Sequence, residues 1–324
     1  MIPEDVLARW ALSGPISRID TGRINDTYLV DQSYVVQRVN KNVFRDPAAL
    51  ISNYRAVYDS VFDLVAPLVP TIDGADYVLD ESGHTWRAFV HFESRNFRQL
   101  PDSLCRVAGE AYGLFLDRVA HCQREIQPSI EGFHQLEYYL DQLNHAASSN
   151  ASGEEFDLLE ELMENRVAFD PNRQVIHGDC KVSNLLFHPT APKAVRIVDL
   201  DTVMVGHPAW DFGDLVRSLT SGIDTDSVVG AQMLDRVKDL CIGFFSHFKV
   251  QSMVAVRVFA GSPSHMALML GVRYLTDHIS GNRYFKVDAP DDNLARARRQ
   301  FEISKRLKSM QPNLEDFIAA IKPS

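Results

Sequence analysis

Between His177 and Asp214 the chain reads HGDCKVSNLLFHPTAPKAVRIVDLDTVMVGHPAWDFGD, and no other stretch restricts the fold as strongly. Leu185–His188 and Ala194–Val198 are short strand-like runs separated by Pro189–Lys193, which is the pattern of a hairpin. A hairpin carries Asp199 back beside Asn184, with Asp179 and Lys181 just upstream. Singly, each residue has a plain structural explanation. His-Gly-Asp makes a turn, a loop asparagine caps its neighbours, and an aspartate after a strand opens a turn. Their order around one hairpin converges instead on a catalytic site.

The residues ahead of this stretch predict a small β-rich lobe. Strand-like runs at Ile16–Ile19 and Thr27–Val30 flank a turn at Asp20–Asp26, and a third follows at Tyr34–Val39. In the third, Tyr34, Val36 and Arg38 share one face while Val35, Gln37 and Val39 share the other. Asp46-Pro47 opens a helix to about Leu64, with the aspartate as N-cap and proline in the first turn. Two further runs, Tyr77–Asp80 and Thr85–Phe92, turn at Ser82-Gly83. Helical spacing then dominates from Asp102 to Arg124, Gln135 to Asn144 and Glu154 to Val167, with a small polar loop at Ser148–Gly153. Beyond the hairpin it returns at Asp226–Phe248, Val254–Ile279, Asn293–Leu307 and Leu314–Ile321. The expected fold class is α+β and bilobal, with residues 1–92 forming one lobe and 93–324 the other.

The net charge of -10 and pI near 5.5 disfavour a general nucleic-acid binder, because such a surface repels phosphates. Cys105, Cys122, Cys180 and Cys241 are scattered without a CxxC pair. That speaks against a zinc site or disulfide framework and fits a reducing cytosol. The start MIPEDVLARW lacks a basic-then-apolar leader, and no apolar stretch reads as the ~18 residues of a membrane span. A cytoplasmic protein without membrane or nucleic-acid partners is expected, of undetermined oligomeric state.

Phosphoryl transfer needs positioning and charge neutralisation more than covalent chemistry. In protein kinases a loop aspartate takes the acceptor hydroxyl proton, an asparagine shortly after it holds magnesium, and an aspartate beyond the next hairpin holds the metal at the phosphates. Asp179, Asn184 and Asp199 stand in that order. Lys181 is placed to reach the transferred group, and Asp201 to act as a supporting or second metal ligand. Asp211-Phe212-Gly213 spells the kinase metal motif literally but follows His207-Pro208 and a helix start. The metal role therefore goes to Asp199, and Asp211 either braces the catalytic loop or caps the helix.

These residues resemble the aminoglycoside phosphotransferase and choline kinase-like superfamily, whose pattern HGDxxxxN falls on His177, Gly178, Asp179 and Asn184 and whose later aspartate falls on Asp199. Within it, GRINDTYLV, YVVQRVNKNVFRDP, HGDCKVSN, VDLDTVM, WDFGDLVRS and RYLTDHISGNRYFK look like the N-acetylhexosamine 1-kinase group, across residues 22–286. The resemblance implies a protein-kinase-like fold, ATP and Mg2+ as cofactors, Asp179 as base and Asp199 as magnesium ligand. It also implies that Arg273 and Tyr284 hold a small-molecule sugar. Read without it, Arg273 and Asp277 are a surface ion pair four apart on a helix, and Tyr284 a core aromatic.

The kinase pattern has a lysine on its third strand, paired to a glutamate on the next helix. Here Arg38 is the favoured replacement and Gln37 the competing one, with Asp59 or Asp63 as the possible partner. The turn Asp20–Asp26 has one glycine, so the phosphate cover falls to backbone around Asn25–Thr27 and the Thr27 hydroxyl. An Asx-stabilised turn is the alternative. The expected activity is transfer of the ATP γ-phosphoryl group to a sugar hydroxyl, the anomeric one of an N-acetylhexosamine or related hexose. A kinase of another alcohol and a non-catalytic nucleotide-binding scaffold are the competing functions.

Overall fold

A computed structural model describes residues 1–19, 24–147, 153–164, 166–221 and 227–321. The tip of the expected turn at 20–23, most of the polar loop at 148–152 and the expected helix start at Asp226 lie outside the described residues.

The first part of the chain builds one antiparallel sheet. Strands β1 (Ile16–Ile19), β2 (Asp26–Val30), β3 (Tyr34–Arg38), β4 (Val78–Leu79) and β5 (Thr85–Val90) lie in the order β1-β2-β3-β5-β4. Helix α2 (Pro47–Val61) intervenes, and the Asp46 carboxylate caps it by accepting the Ala49 N–H at 3.0 Å. A short helix that the sequence reading lacked, α1 (Glu4–Ala8), closes one face of the sheet. Ile2, Val6 and Trp10 pack there on Tyr28, Val30, Val36, Trp86 and Ala88, and Trp10 donates to the Val69 carbonyl at 2.8 Å. The pleat sends alternate residues to the other face. Gln37 and Arg87, directly paired across β3 and β5, therefore point with Thr27 toward the rest of the molecule.

The second part is helical, with α3 (Cys105–Val119), α4 (Leu136–Ala146), α5 (Glu154–Glu164), α6 (Pro208–Thr220), α7 (Ser227–His247), α8 (Met253–Ile279) and α9 (Asp292–Ala320). Helices α6, α8 and α9 share the main core with α3 and α7. Contrary to the expected break, α9 runs through Pro312. Leu307 before the proline and Leu314 and Ile318 after it are all buried, which offsets the one backbone hydrogen bond that proline removes. Helix α8 corrects a second expectation, because it is long and apolar enough to cross a membrane. Its apolar window is 72% buried inside the protein, against α4, α6 and α9, so its hydrophobicity is that of a core helix.

Two pairs of strands position the motif. The hairpin β7 (Leu185–Phe187) and β8 (Ala194–Ile197) pairs Leu185 with Ile197, and the Val198 N–H donates to the Asn184 carbonyl at 2.9 Å. A second pair, β6 (Gln174–Ile176) with β9 (Met204–Gly206), is too short for its periodicity to show in the sequence. It sets His177, just past β6, beside the start of α6.

Helices α3 and α7 cross so closely that glycine is required on both. A Cβ on Gly109 would lie 2.0 Å from the Leu240 carbonyl oxygen, and one on Gly243 would lie 2.0 Å from that of Arg106. Gly109→Ala or Gly243→Ala should each destabilise the protein by about 1–3 kcal/mol through forced separation of the helices. Urea unfolding checks this, and an unchanged midpoint would contradict it.

Candidate active site

The His177–Asp179 loop is held by nearly every polar group it offers. The N–H groups of His177 and Gly178 donate to the two Asp211 carboxylate oxygens at 2.7 and 2.8 Å. The Thr202 hydroxyl donates to the His177 carbonyl at 3.0 Å, and His134 Nε2 lies 2.6 Å from the Gly178 carbonyl oxygen. Gly178 has φ +81°, and a Cβ there would sit 2.3 Å from the Thr202 carbonyl oxygen, so no other residue fits. Burial keeps His177 neutral by lowering its pKa. Its Nδ1 accepts from the Asp179 N–H at 3.2 Å, and Nε2 faces the Val198 carbonyl at 3.1 Å. Asp211 is thus the brace, and the helix-cap alternative fails because His207 caps α6, accepting from the Ala209 N–H at 3.1 Å. Burial pushes the Asp211 carboxyl up to about 6, against the opposing pull of His177, the two amides and the Cys180 thiol.

Asp179, Lys181 and Asn184 converge on one carboxylate. Lys181 is ion-paired to Asp179 Oδ2, and Asn184 Nδ2 donates to the same oxygen at 2.9 Å and to the Asp179 carbonyl at 3.0 Å. Burial acts to raise the Asp179 pKa, but the Lys181 charge and hydrogen bond, His177 and Asn184 outweigh it and bring it down to about 2. A carboxylate so held stays ionised, ready to orient a hydroxyl. Lys181 remains a cation, with Asp179 and Asp199 raising its pKa against the effect of burial. The amide oxygen of Asn184 makes no hydrogen bond among the described residues.

Asp199 follows β8 with φ +67° and ψ +53°, a left-handed conformation that is costly for a side-chain-bearing residue. Its side chain is exposed. Partial desolvation among the neighbouring groups raises its pKa to about 6, with the Asp201 and Asp179 charges adding to the rise and Lys181 and Arg87 opposing it. Asp201, expected as a supporting or second metal ligand, is locked against the sheet. Arg87 Nη2 donates to Oδ2 at 2.9 Å, Arg87 Nη1 lies 2.7 Å from Oδ1, and Asn25 Nδ2 donates to Oδ2 at 2.7 Å.

The wall opposite corrects the placement of Arg38. It lies on the α1 side of the sheet near Trp86 and pairs with Asp26, because Val36 on its face is covered by α1. Gln37 occupies the cleft face. It accepts from Arg87 Nε and Nη2 at 3.1 and 2.8 Å, and its Nε2 donates to the Thr27 hydroxyl at 3.2 Å. Asp59 and Asp63 are not partners of Arg38 either, since they pair with Arg124 and Arg118. Asn25 and Thr27 lie on the same wall, with their side chains bound to Asp201 and Gln37.

On the far side, Arg273 is not in an ion pair with Asp277. The Asp277 carboxylate is buried and accepts the N–H groups of Arg283, Tyr284 and Phe285 and the Asn293 amide, all at 2.8–2.9 Å. It thereby folds the segment after α8 back over the helix. Arg273 then stands among Phe133, Tyr139, Tyr284 and Phe285, its guanidinium carbon 5.1–5.6 Å from each ring centroid. Its nearest polar contact is the Tyr284 hydroxyl at 3.4 Å. Phe133 adjoins His134, which holds Gly178, so this aromatic cage borders the catalytic loop. His134 itself, Arg87 and the buried pair Asp214–Arg217 at 2.7 Å were absent from the sequence reading. His134 and Arg87 belong to no motif, and Asp214 and Arg217, inside WDFGDLVRS, carried no assigned role beyond their i,i+3 spacing.

The model of the phosphotransferase enzyme family matches residues 15–235, more than half of the chain. The chain belongs to the phosphotransferase enzyme family. Curated relatives are distant. Acyl-CoA dehydrogenase family member 11 of Pongo abelii and of Homo sapiens is 24% identical over 213 residues, which are 60% of this chain and only 27% of that protein. Among solved structures, a microcompartment-associated aminopropanol kinase superposes with TM-score 0.62 at 15% identity, covering 95% of this chain and 97% of that one. An amicoumacin kinase in complex with AMP-PNP and Ca2+ gives 0.61 at 14%, covering 94% and 96%. At such identities the likeness is one of fold. It is the kinase-like arrangement of a small sheet lobe and a helical lobe that the sequence led us to expect.

For this family member a divalent cation fits the residues present. Asn184 offers an unused amide oxygen, and Asp199 is a carboxylate destabilised by neighbouring negative charge. Among the described residues no group of three His, Cys, Asp or Glu side chains is placed to hold a metal. Asn184 and Asp199 are both oxygen donors, which suit a hard cation such as magnesium that completes its shell with phosphate oxygens and water.

Asp211 generates a pH test. Its carboxyl pKa is higher in the fold than the ordinary 3.8, so its contribution to stability is full below that value and is lost as the pH rises through about 6. Between about pH 4 and pH 7, the melting temperature of Asp211→Asn should fall less steeply with pH than that of the parent. Parallel profiles would contradict the assignment.

Proposed function

We propose that the chain transfers the γ-phosphoryl group of ATP to a hydroxyl of a small sugar, the anomeric hydroxyl of an N-acetylhexosamine or related hexose. The observation carrying the chemistry is the convergence of Asp179, Lys181, Asn184 and Asp199 around one hairpin. Asp179 accepts a hydrogen bond from the acceptor hydroxyl and takes its proton as the new oxygen–phosphorus bond forms and the bond from the γ-phosphorus to the bridging oxygen breaks, releasing ADP. Lys181, held by Asp179, neutralises the moving phosphoryl group as a point charge. Asn184 and Asp199 hold magnesium, which when bound offsets the phosphate charge. Residues 1–92 cover the nucleotide, with the backbone near Asn25 and Thr27 over the phosphates, and residues 93–324 carry the catalytic and acceptor groups. The four free thiols fit a reducing, cytoplasmic setting.

Arg273 in its aromatic cage favours a neutral acceptor. Among the described residues it has no carboxylate partner, so a cationic substrate beside it would meet uncompensated repulsion. Aromatic faces and fixed donors are what a sugar needs, since each buried hydroxyl requires a partner. The names of the structural neighbours favour a second reading, an amino alcohol or antibiotic acceptor.

A panel of hexoses, N-acetylhexosamines, amino alcohols and aminoglycosides with magnesium-ATP decides between the two. Turnover confined to amino alcohols or aminoglycosides would overturn the sugar assignment. Asp179→Asn and Asp199→Asn should each lower turnover by about 10³-fold or more in folded protein, and near-normal activity in either would contradict its role. Arg273→Ala should raise the acceptor KM about 10–100-fold with little change in the ATP KM, whereas a change in the ATP KM alone would move Arg273 out of the acceptor site.

A further inference from the structure

The cleft face of β3 carries no cation at all, since Gln37 holds the place where a kinase has its lysine. The cation stands one strand further in. Arg87 is the direct cross-strand partner of Gln37, is 2% exposed, and rests on the Phe89 ring at 5.1 Å. Its Nε and Nη2 are bound to Gln37 Oε1, and both terminal nitrogens meet Asp201. Its Nη1, which stands 2.7 Å from Asp201 Oδ1 as an ion pair, makes no hydrogen bond of its own, and with no open surface Arg87 cannot present itself to a phosphate.

Asp201, also 2% exposed, lies in the single turn Leu200–Thr202 that follows Asp199. That turn is pinned at two points. Asp201 is tied to the sheet through Arg87 and Asn25, whose Oδ1 in turn accepts the Asn40 N–H at 3.0 Å. Thr202 is tied to the catalytic loop through the His177 carbonyl. Between these anchors and the hairpin, Asp199 is kept in a left-handed conformation that an aspartate does not hold cheaply. Freed of Arg87, the Asp201 carboxylate would also stand as an uncompensated charge beside Asp199.

We propose that Arg87 and Asp201 are positioning residues for the metal-binding turn. The sheet's cation acts on Asp199 through Asp201, in place of a lysine acting on the nucleotide. The inference rests on the reading of Asp199 as a magnesium ligand. It makes the small lobe part of the metal site, since a buried pair 114 residues apart in sequence joins the two.

The test is the magnesium dependence of turnover, with ATP and acceptor saturating. In Asp201→Asn the magnesium concentration giving half-maximal turnover should rise about tenfold or more, the range typical when a partner of a metal ligand is removed. High magnesium should restore much of kcat, and the ATP KM at saturating metal should stay within a few-fold. Arg87→Lys, which keeps the charge but not the fork, should fall between parent and Asp201→Asn. If Asp201→Asn does not fold, the doubly apolar Arg87→Met/Asp201→Leu variant, which leaves no buried unpaired charge, is read in the same way. A lower melting temperature with an unchanged magnesium requirement would overturn the proposal and leave the pair merely structural. Normal turnover in Asp199→Asn would fail differently, by removing the metal assignment on which the proposal rests.

Discussion

One buried carboxylate organises the catalytic half of this molecule. Asp211, on the first turn of α6, receives the amides of His177 and Gly178 and so fixes the path of the chain just before Asp179. Two backbone donors to one carboxylate are strong, geometrically exacting hydrogen bonds, and they are shut away from water. Everything downstream inherits the position they set. The loop delivers Asp179, the hairpin returns Asp199 to the same end, and Thr202 and His134 close the remaining carbonyls. The proposed metal ligand and base, both carried on loops, gain their rigidity from this second layer of bonds.

The nucleotide side and the acceptor side are built on the same plan, with a buried charge spent on backbone or on another charge rather than on substrate. Asp277 accepts three consecutive amides and folds the segment after α8 so that Tyr284 and Phe285 flank Arg273. Arg87 and Asp201 join the sheet to the turn that follows Asp199. In each case the residue exposed in the cleft is held by one that is not, which is why the exposed residues can be few.

The sequence was most legible where a short-range rule is strong. Alternation showed β1, β2, β3 and β5, the Asp46-Pro47 cap showed the start of α2, and the spacing from Asp179 to Asp199 showed the hairpin. It was least legible where tertiary packing decides. The pleat of β3 separates Gln37 from Arg38 in any reading, but which of them faces the cleft depends on α1, whose few turns leave no periodic trace. The three-residue strands β6 and β9 escape for the same reason. Helical spacing lapses between Leu307 and Leu314, where Pro312 removes a backbone hydrogen bond, whereas burial of Leu314 and Ile318 carries the helix through. Asp277 looked like a surface partner of Arg273 because i,i+4 spacing says nothing about burial.

The central claim is phosphoryl transfer to an anomeric hydroxyl, and the product states the answer directly. Incubation with magnesium-ATP and an N-acetylhexosamine, followed by phosphorus NMR, should show a sugar phosphate whose phosphorus couples to the anomeric proton. A phosphate coupled to a proton at any other carbon, or no phosphorylated sugar while another alcohol is turned over, would contradict the account.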